Sequence, residues 1–274
     1  MIYRNGSDIS SLSLFPNSNQ SCKMRNAALF LSILLIITTS SCGTKNSSSG
    51  EANLPGVQSL QWSRYSAEAE ALYIQGYNVA SRVMLDSASR RSAKPWAVVL
   101  DIDETVLDNL TYNAELLRKG EKYSEGSWIE WCDRREAGAI PGALEFTSLA
   151  LDLGIEVYYV SNRSEKLFQA TVDNMRELGF PSADSVHILL KTDTSSKDQR
   201  REKISEHHDI LLLIGDNLGD FDGIFDDRSN EYGKPEVRKN REQFGKRYII
   251  LPNPVYGTWT RGVFSEGLPG EKKL

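Results

Sequence analysis

Five short apolar runs, most of them followed at once by a polar cluster, constrain this chain more than any other feature. They occupy residues 96–100, 154–160, 187–190, 210–214 and 248–251, and such near-continuous apolar stretches are typical of strands buried on both faces. Residues 142–153, 164–178 and 197–207 lie between them and have helix-like composition. Strands alternating with helices require crossover connections. The expected fold is therefore α/β, a three-layer α/β/α domain around a mostly parallel sheet. Ligands of such sheets bind beyond the carboxyl ends of the strands, so the polar clusters mark the candidate site.

The first run leads into Asp101-Ile-Asp-Glu-Thr-Val-Leu-Asp-Asn109, and the second into Ser161-Asn-Arg163. Lys191 and Lys197 follow the third run, and Gly215-Asp-Asn-Leu-Gly-Asp220 follows the fourth. Four clusters from distant parts of the chain thus converge on one sheet edge. The formal net charge is −5 and there is no long basic run, which argues against a nucleic-acid partner held by general phosphate attraction. An anionic ligand would need a local positive site, supplied by a few Lys or Arg and a metal. No Gly-x-Ser-x-Gly or Gly-x-x-x-x-Gly-Lys is present, and none of His187, His207 and His208 sits in an Arg-His-Gly context. A lone Asp-x-Asp also occurs in glycosyltransferases, whereas an EF-hand loop would need Gly where Val106 stands.

The stretch Val99-Leu-Asp-Ile-Asp-Glu-Thr-Val-Leu-Asp-Asn-Leu-Thr-Tyr112, together with Gly215-Asp-Asn-Leu-Gly-Asp-Phe221, resembles the class C acid phosphatases. These belong to the haloacid-dehalogenase-like (HAD) phosphohydrolases and include lipoprotein 5′-nucleotidases of bacterial outer membranes. The likeness runs from Trp62 to Gly262. It implies a HAD-like Rossmannoid domain and Mg²⁺-dependent hydrolysis of small phosphomonoesters, 5′-nucleotides in particular. Nicotinamide mononucleotide is one candidate substrate.

The chemistry asks for these residue types. Asp101 would attack phosphorus and become an aspartyl-phosphate. Asp103, two residues on along extended backbone and so on the same side, would protonate the leaving oxygen and then activate water. Mg²⁺ would sit between Asp101, the backbone carbonyl of Asp103 and Asp216, with Asp220 outside them holding water or pairing with Lys197. Ser161 would donate to the phosphoryl group beside Asn162, with Arg163 as a further substrate contact. By resemblance Lys197 neutralises charge in the transition state, with Lys191 its competitor.

Residues from 109 to 140 form an expected cap, in which Ser127 would cap a helix carrying Trp128 and Trp131 on one face. By resemblance, Trp128 and Tyr256 stack on a nucleobase; ordinary packing is the alternative, favoured for Trp131. A further helix is expected over 61–92, from the recurrence of Tyr65, Ala69, Leu72, Gly76, Val79 and Val83. Its start is weakly marked, since Ala69 cannot complete a capping box with Ser66.

Upstream, Lys23 and Arg25 precede an apolar run over 27–37 and then small residues before Cys42. This reads as a signal peptide ending in a lipobox, although Thr39 stands where Leu is usual. Cys42 would carry the lipid anchor to the bacterial cell envelope, at the outer membrane or periplasmic face. Residues 1–23 read as a mis-called start, 43–60 as a tether and 263–274 as a tail. A homodimer is left open. The alternatives are a non-catalytic nucleotide-binding lipoprotein and a phosphotransferase on the same scaffold.

Overall fold

The computed structural model describes residues 56–90 and 92–264. The expected signal segment, Cys42 and most of the tether and tail lie outside the described residues. In chain order the elements are α1 (Val57–Tyr65), α2 (Ala67–Ala88), β1 (Trp96–Leu100), β2 (Leu107–Asp108), α3 (Leu110–Lys119), α4 (Glu125–Arg134), β3 (Gly138–Ala139) and α5 (Ala143–Asp152). They continue with β4 (Glu156–Ser164), α6 (Phe168–Glu177), β5 (Ile188–Lys191), α7 (Asp198–His207), β6 (Asp209–Gly215), α8 (Lys234–Lys239), β7 (Tyr248–Ile250) and α9 (Trp259–Phe264).

The five expected apolar runs form one sheet in the order β5-β4-β1-β6-β7, with every pairing parallel. Their continuous apolar character has a direct cause: alternate residues enter different cores. Val98 and Leu100 of β1 pack with Tyr159, Leu212, Ile214 and Ile249 in the larger core, under α2 and α5. Ala97 and Val99 pack with Val160, Leu213 and Tyr248 on the other face, against Ile204 of α7 and Phe221 and Phe225. Both faces are covered, so neither can alternate with polar residues. β1 sits at the centre of the sheet, which places whatever follows it at the middle of the carboxyl edge.

Three expectations need correction. The N-terminal helix is broken into α1 and α2 at Ser66, whose backbone is extended and whose hydroxyl accepts the Ala69 amide at 3.1 Å. One half of a capping box is enough to restart the helix there. The buried stripe of α2 is Ala69, Tyr73, Tyr77, Ala80 and Met84; of the stripe read from the sequence only Ala69 belongs to it, with Val79 and Val83 half-buried at its edge. Tyr65 is 77% exposed and Leu72 also faces out, while Gly76 lets Leu251 approach so closely that a Cβ would meet its Cδ2 at 2.5 Å. Tyrosines rather than aliphatics carry the core face because Tyr73 and Tyr77 each have a backbone carbonyl for their hydroxyls, on Pro252 (2.8 Å) and Thr105 (2.6 Å).

The cap lies between β2 and β3, which pair antiparallel and close its base. Its second helix, α4, is capped by Ser124 rather than Ser127. Ser124 Oγ accepts the Ser127 amide at 3.1 Å, and Ser127 Oγ in turn accepts the Ser124 amide at 3.3 Å. Ser127 thus completes a capping box from the third helical position.

Candidate active site

Asp101 is the first residue beyond β1. Its amide still bonds to the Ile214 carbonyl of β6 at 2.9 Å, so the strand ladder fixes where the carboxylate stands. The chain then turns tightly. The amides of Thr105, Val106 and Leu107 all converge on the Ile102 carbonyl, at 3.3, 2.9 and 2.8 Å, and Glu104 takes a left-handed φ of 55°. The turn returns Asp103 to Asp101's side. Both line a cavity of about 570 Å³ together with Ser161, Lys197, Asp216 and Asp220. Lys191 ends β5 and is not part of that lining.

Beyond β6, the turn from Asp216 to Asp220 is held by the Asn217 amide donating to Asp220 Oδ2 at 2.9 Å. Arg201 of α7 bonds to the Asp220 carbonyl at 2.8 Å. Gly215 makes this possible, because a Cβ there would lie 2.2 Å from Asp220 Oδ2. Lys197, the residue before α7, is 4% exposed and its ammonium pairs with Asp101 and, at 2.6 Å, with Asp220. Burial alone would lower its pKa, but the two carboxylates outweigh burial and raise it, so Lys197 stays charged.

The carboxylates outnumber that cation. Oxygens of Asp101, Asp216 and Asp220 lie within 4.8 Å of one another. Asp101 is pushed up to about 7, chiefly by burial, against the pull of Lys197 and with Asp220 and Asp103 adding to it. Asp216 is raised well above the usual carboxylate range by burial, then by Asp220 and Asp101. Its Oδ2 accepts from Asn253 at 2.7 Å.

Asp103 is held differently. Its Oδ1 accepts from Arg163 Nη2 at 2.8 Å, Arg163 Nε at 3.0 Å and Asn109 Nδ2 at 2.9 Å. Its Oδ2 has only the longer contacts to Arg163 Nε at 3.3 Å and Ser161 Oγ at 3.4 Å. Arg163, 2% exposed, points at this carboxylate, at Thr171 and at Asn109. Burial would lower its pKa, but Asp103 holds it above the usual value. Sequence reasoning placed Arg163 against substrate; the structure pairs it with Asp103. Ser161 is fully buried, and its hydroxyl accepts the Arg163 amide at 3.1 Å.

A second cavity of about 260 Å³ adjoins the first, sharing Asp103, Asn162, Tyr123 and Tyr256 with it and adding Tyr112, Trp128 and Arg163. Trp128 packs edge-on against Tyr112 at 5.2 Å between centroids, and the Arg163 guanidinium lies 5.5 Å from the centre of its ring. Trp131, by contrast, is core: it is fully buried and donates from Nε1 to Asn109 Oδ1 at 2.9 Å.

Three residues escaped sequence reasoning. Asn109 lies inside the first motif and links Trp131 to Asp103, and Asn253 orients Asp216 from beyond β7. Arg200 donates to the Ser161 carbonyl at 2.5 Å and to Asn162 Oδ1 at 2.7 Å, tying the end of β4 to α7. Its position three residues after Lys197, on the same helix face, was the available signal.

Residues 44–259 match the family model described as HAD superfamily, subfamily IIIB (Acid phosphatase). The class C acid phosphatase from Bacillus anthracis is 35% identical, with a TM-score of 0.74 over 80% of this chain and 92% of that one. The same protein with tungstate bound gives 0.73, at 35% identity over 76% and 88%. Acid phosphatase 1 of Solanum lycopersicum is 27% identical over 166 residues, 58% of this chain and 57% of that protein. The stem 31 kDa glycoprotein of Glycine max is 26% identical over 164 residues, 58% of each. The chain thus spans a little over half the length of these curated relatives. With its parallel sheet, its Asp101/Asp103 turn and a family match that covers most of its length, the chain belongs to subfamily IIIB of the HAD superfamily, the acid phosphatases.

Proposed function

We propose that this protein hydrolyses small phosphomonoesters, 5′-nucleotides among them, through an aspartyl-phosphate on Asp101. The observation that carries the reading is a buried carboxylate at the exit of the central strand, gripped by a buried lysine and opening into a cavity that continues into an aromatic one. Tungstate, bound by the Bacillus anthracis relative, is a tetrahedral oxyanion like phosphate.

Asp101 attacks phosphorus and the P–O bond to the alcohol breaks; Asp103 gives its proton to the departing oxygen. Asp103 then takes a proton from water, whose oxygen displaces Asp101 from phosphorus and releases phosphate. With Oδ1 anchored by Arg163 and Asn109, Oδ2, which has only the longer contacts to Arg163 and Ser161, is the atom to hold that proton. Lys197 and Ser161 supply donors for the charge that develops on the phosphoryl oxygens.

The donor set fits a hard divalent cation. It is all oxygen, and it carries more negative charge than Lys197 can offset. With Asp216 Oδ2 engaged by Asn253, Oδ1 remains as a ligand, and Asp220 is occupied by Lys197. Mg²⁺ held by Asp101, Asp216 and the Asp103 carbonyl would supply positive charge opposite the phosphate. The second cavity supports base stacking on Trp128 and Tyr256, which tolerates many bases.

Purified protein assayed on 5′-nucleoside monophosphates and p-nitrophenyl phosphate should release phosphate with Mg²⁺ and stop with EDTA. Asp101→Asn should lower kcat by about 10³-fold or more. A folded, Mg²⁺-saturated protein that releases nothing would refute the reading, and phosphate appearing on added alcohol would make it a transferase. The sequence around Cys42 supports a lipid anchor in the cell envelope. Radiolabelled palmitate should enter the native chain and not Cys42→Ala.

A further inference from the structure

The larger cavity, at about 570 Å³, has a wall that none of the chemistry above uses. It is made by Arg228, Thr258 and Arg261, with Asp226 beside them. Arg228 is half-buried. Its Nη2 donates to Thr258 Oγ1 at 3.3 Å, while its Nε is buried with no partner. Its side chain runs against Gly233, where φ is +83° and a Cβ would meet Arg228 Cδ at 3.0 Å. Arg261 is exposed. Neither guanidinium has a carboxylate within 4.0 Å among the described residues.

An exposed arginine without an ion pair is ordinary. A half-buried one with an orphaned N–H is not, because buried donors are nearly always satisfied. Burial lowers the Arg228 pKa and Asp226 only partly opposes it. Asp226 is itself raised by burial and by Asp198, against the pull of Arg228, Arg201 and Arg261, and it forms no ion pair with either guanidinium. The wall is also tied to the reaction centre. The Thr258 hydroxyl donates to Asn217 Oδ1 at 2.6 Å, and Asn217 directly follows Asp216.

Resting on the phosphomonoesterase reading, we propose that Arg228 and Arg261 form a second anion subsite, selecting phosphomonoesters that carry a further anionic group. An oxyanion there faces two guanidinium groups, whose planar donor forks match phosphate and carboxylate oxygens.

The test compares adenosine 5′-monophosphate with adenosine 3′,5′-bisphosphate, with p-nitrophenyl phosphate as the control. Native enzyme should favour the bisphosphate in kcat/KM by about tenfold or more, the size of one hydrogen bond between charged groups. Arg228→Gln and Arg261→Gln should erase that preference through KM and leave the control within about twofold. Equal treatment of both nucleotides by native enzyme, or a preference that survives both substitutions, overturns the subsite. Calorimetric binding of the two nucleotides to the Asp101→Asn protein, with and without Arg228→Gln, gives a readout independent of turnover. If nothing is hydrolysed yet bisphosphate binding still depends on Arg228, the phosphatase reading fails and the subsite stands. If binding is indifferent to Arg228, the subsite falls. Thermal melts of each variant exclude misfolding as the cause of a lost preference.

Discussion

Removing the Asp101 charge should make the metal-free protein more stable. Asp101, Asp216 and Asp220 share one buried lysine, and burial pushes Asp101 from 3.8 up to about 7. A carboxyl with a raised folded-state pKa keeps its proton longer in the folded protein than in the unfolded chain. Stability therefore falls as pH rises between those values and stays reduced above the upper one. At about 1.36 kcal/mol per pH unit, ionising Asp101 in the fold costs at most about 4 kcal/mol. Asp101→Asn preserves shape and removes the charge, and Lys197 keeps Asp220. A gain of about 2–4 kcal/mol above pH 7 is expected, or about 4–16 °C in Tm for a domain of this size.

The assay is thermal unfolding by circular dichroism in EDTA from pH 4 to 8.5, repeated with saturating Mg²⁺. The advantage of Asp101→Asn should be near zero at pH 4 and grow to its full size above pH 7. At the proposed metal site, Mg²⁺ should narrow it, because the native chain would gain a bound cation and the variant would lack one ligand. If Asp101→Asn melts at or below native in EDTA at pH 8, or if its advantage is independent of pH, crowded carboxylates do not govern the site and the charge argument for a cation collapses.

Lys197→Met leaves two buried carboxylates unpaired. It should cost about 3–5 kcal/mol in denaturant melts above pH 7 and lower kcat by about 10²-fold or more; unchanged stability would mean that solvent already screens the pair. Gly215→Ala must displace Asp220, given the 2.2 Å clash, so both Tm and kcat should drop, and normal values in both would show the turn adapts freely. Trp131→Phe removes the 2.9 Å donor to Asn109, which should cost about 1–3 kcal/mol in chemical unfolding and lower kcat more than it raises KM.

The sheet was legible in the sequence because a strand buried on both faces leaves a compositional trace that needs no partner to be seen. The α2 stripe was not, because its buried tyrosines look amphipathic until the carbonyls of Pro252 and Thr105 are in place. Asp101, Asp103, Asp216 and Asp220 line one cavity with Ser161 and Lys197; the first four follow the ends of β1 and β6, which are visible where apolar runs stop, whereas Ser161 lies within β4, which outruns its apolar stretch, and Lys197 stands before α7. Arg163 shows where that reasoning gives out. Side-chain alternation along β4 says which face it takes, but its partner, Asp103, sits on a turn whose shape depends on a left-handed Glu104. Arg200, Asn253 and Arg228 are polar residues among many, and only the fold distinguishes them.

Trp128 and Asp103 share one guanidinium, and this couples the cap to the chemistry. Arg163 donates to Asp103, and its guanidinium carbon lies over the Trp128 ring, 5.5 Å from its centre. A ring over a desolvated guanidinium contributes about 0.5–2 kcal/mol. The proposed stacking of Trp128 on a base is thus separable from its contact with Arg163. A substrate without a base separates them. On p-nitrophenyl phosphate, Trp128→Ala should lower kcat by about threefold to thirtyfold, in line with the lost contact, and Trp128→Phe should recover most of it. On a 5′-nucleotide, the same Ala variant should in addition raise KM. If kcat on p-nitrophenyl phosphate is untouched while only the nucleotide KM rises, Trp128 acts by stacking alone and the position of Arg163 is set wholly by Asp103, Asn109 and Thr171.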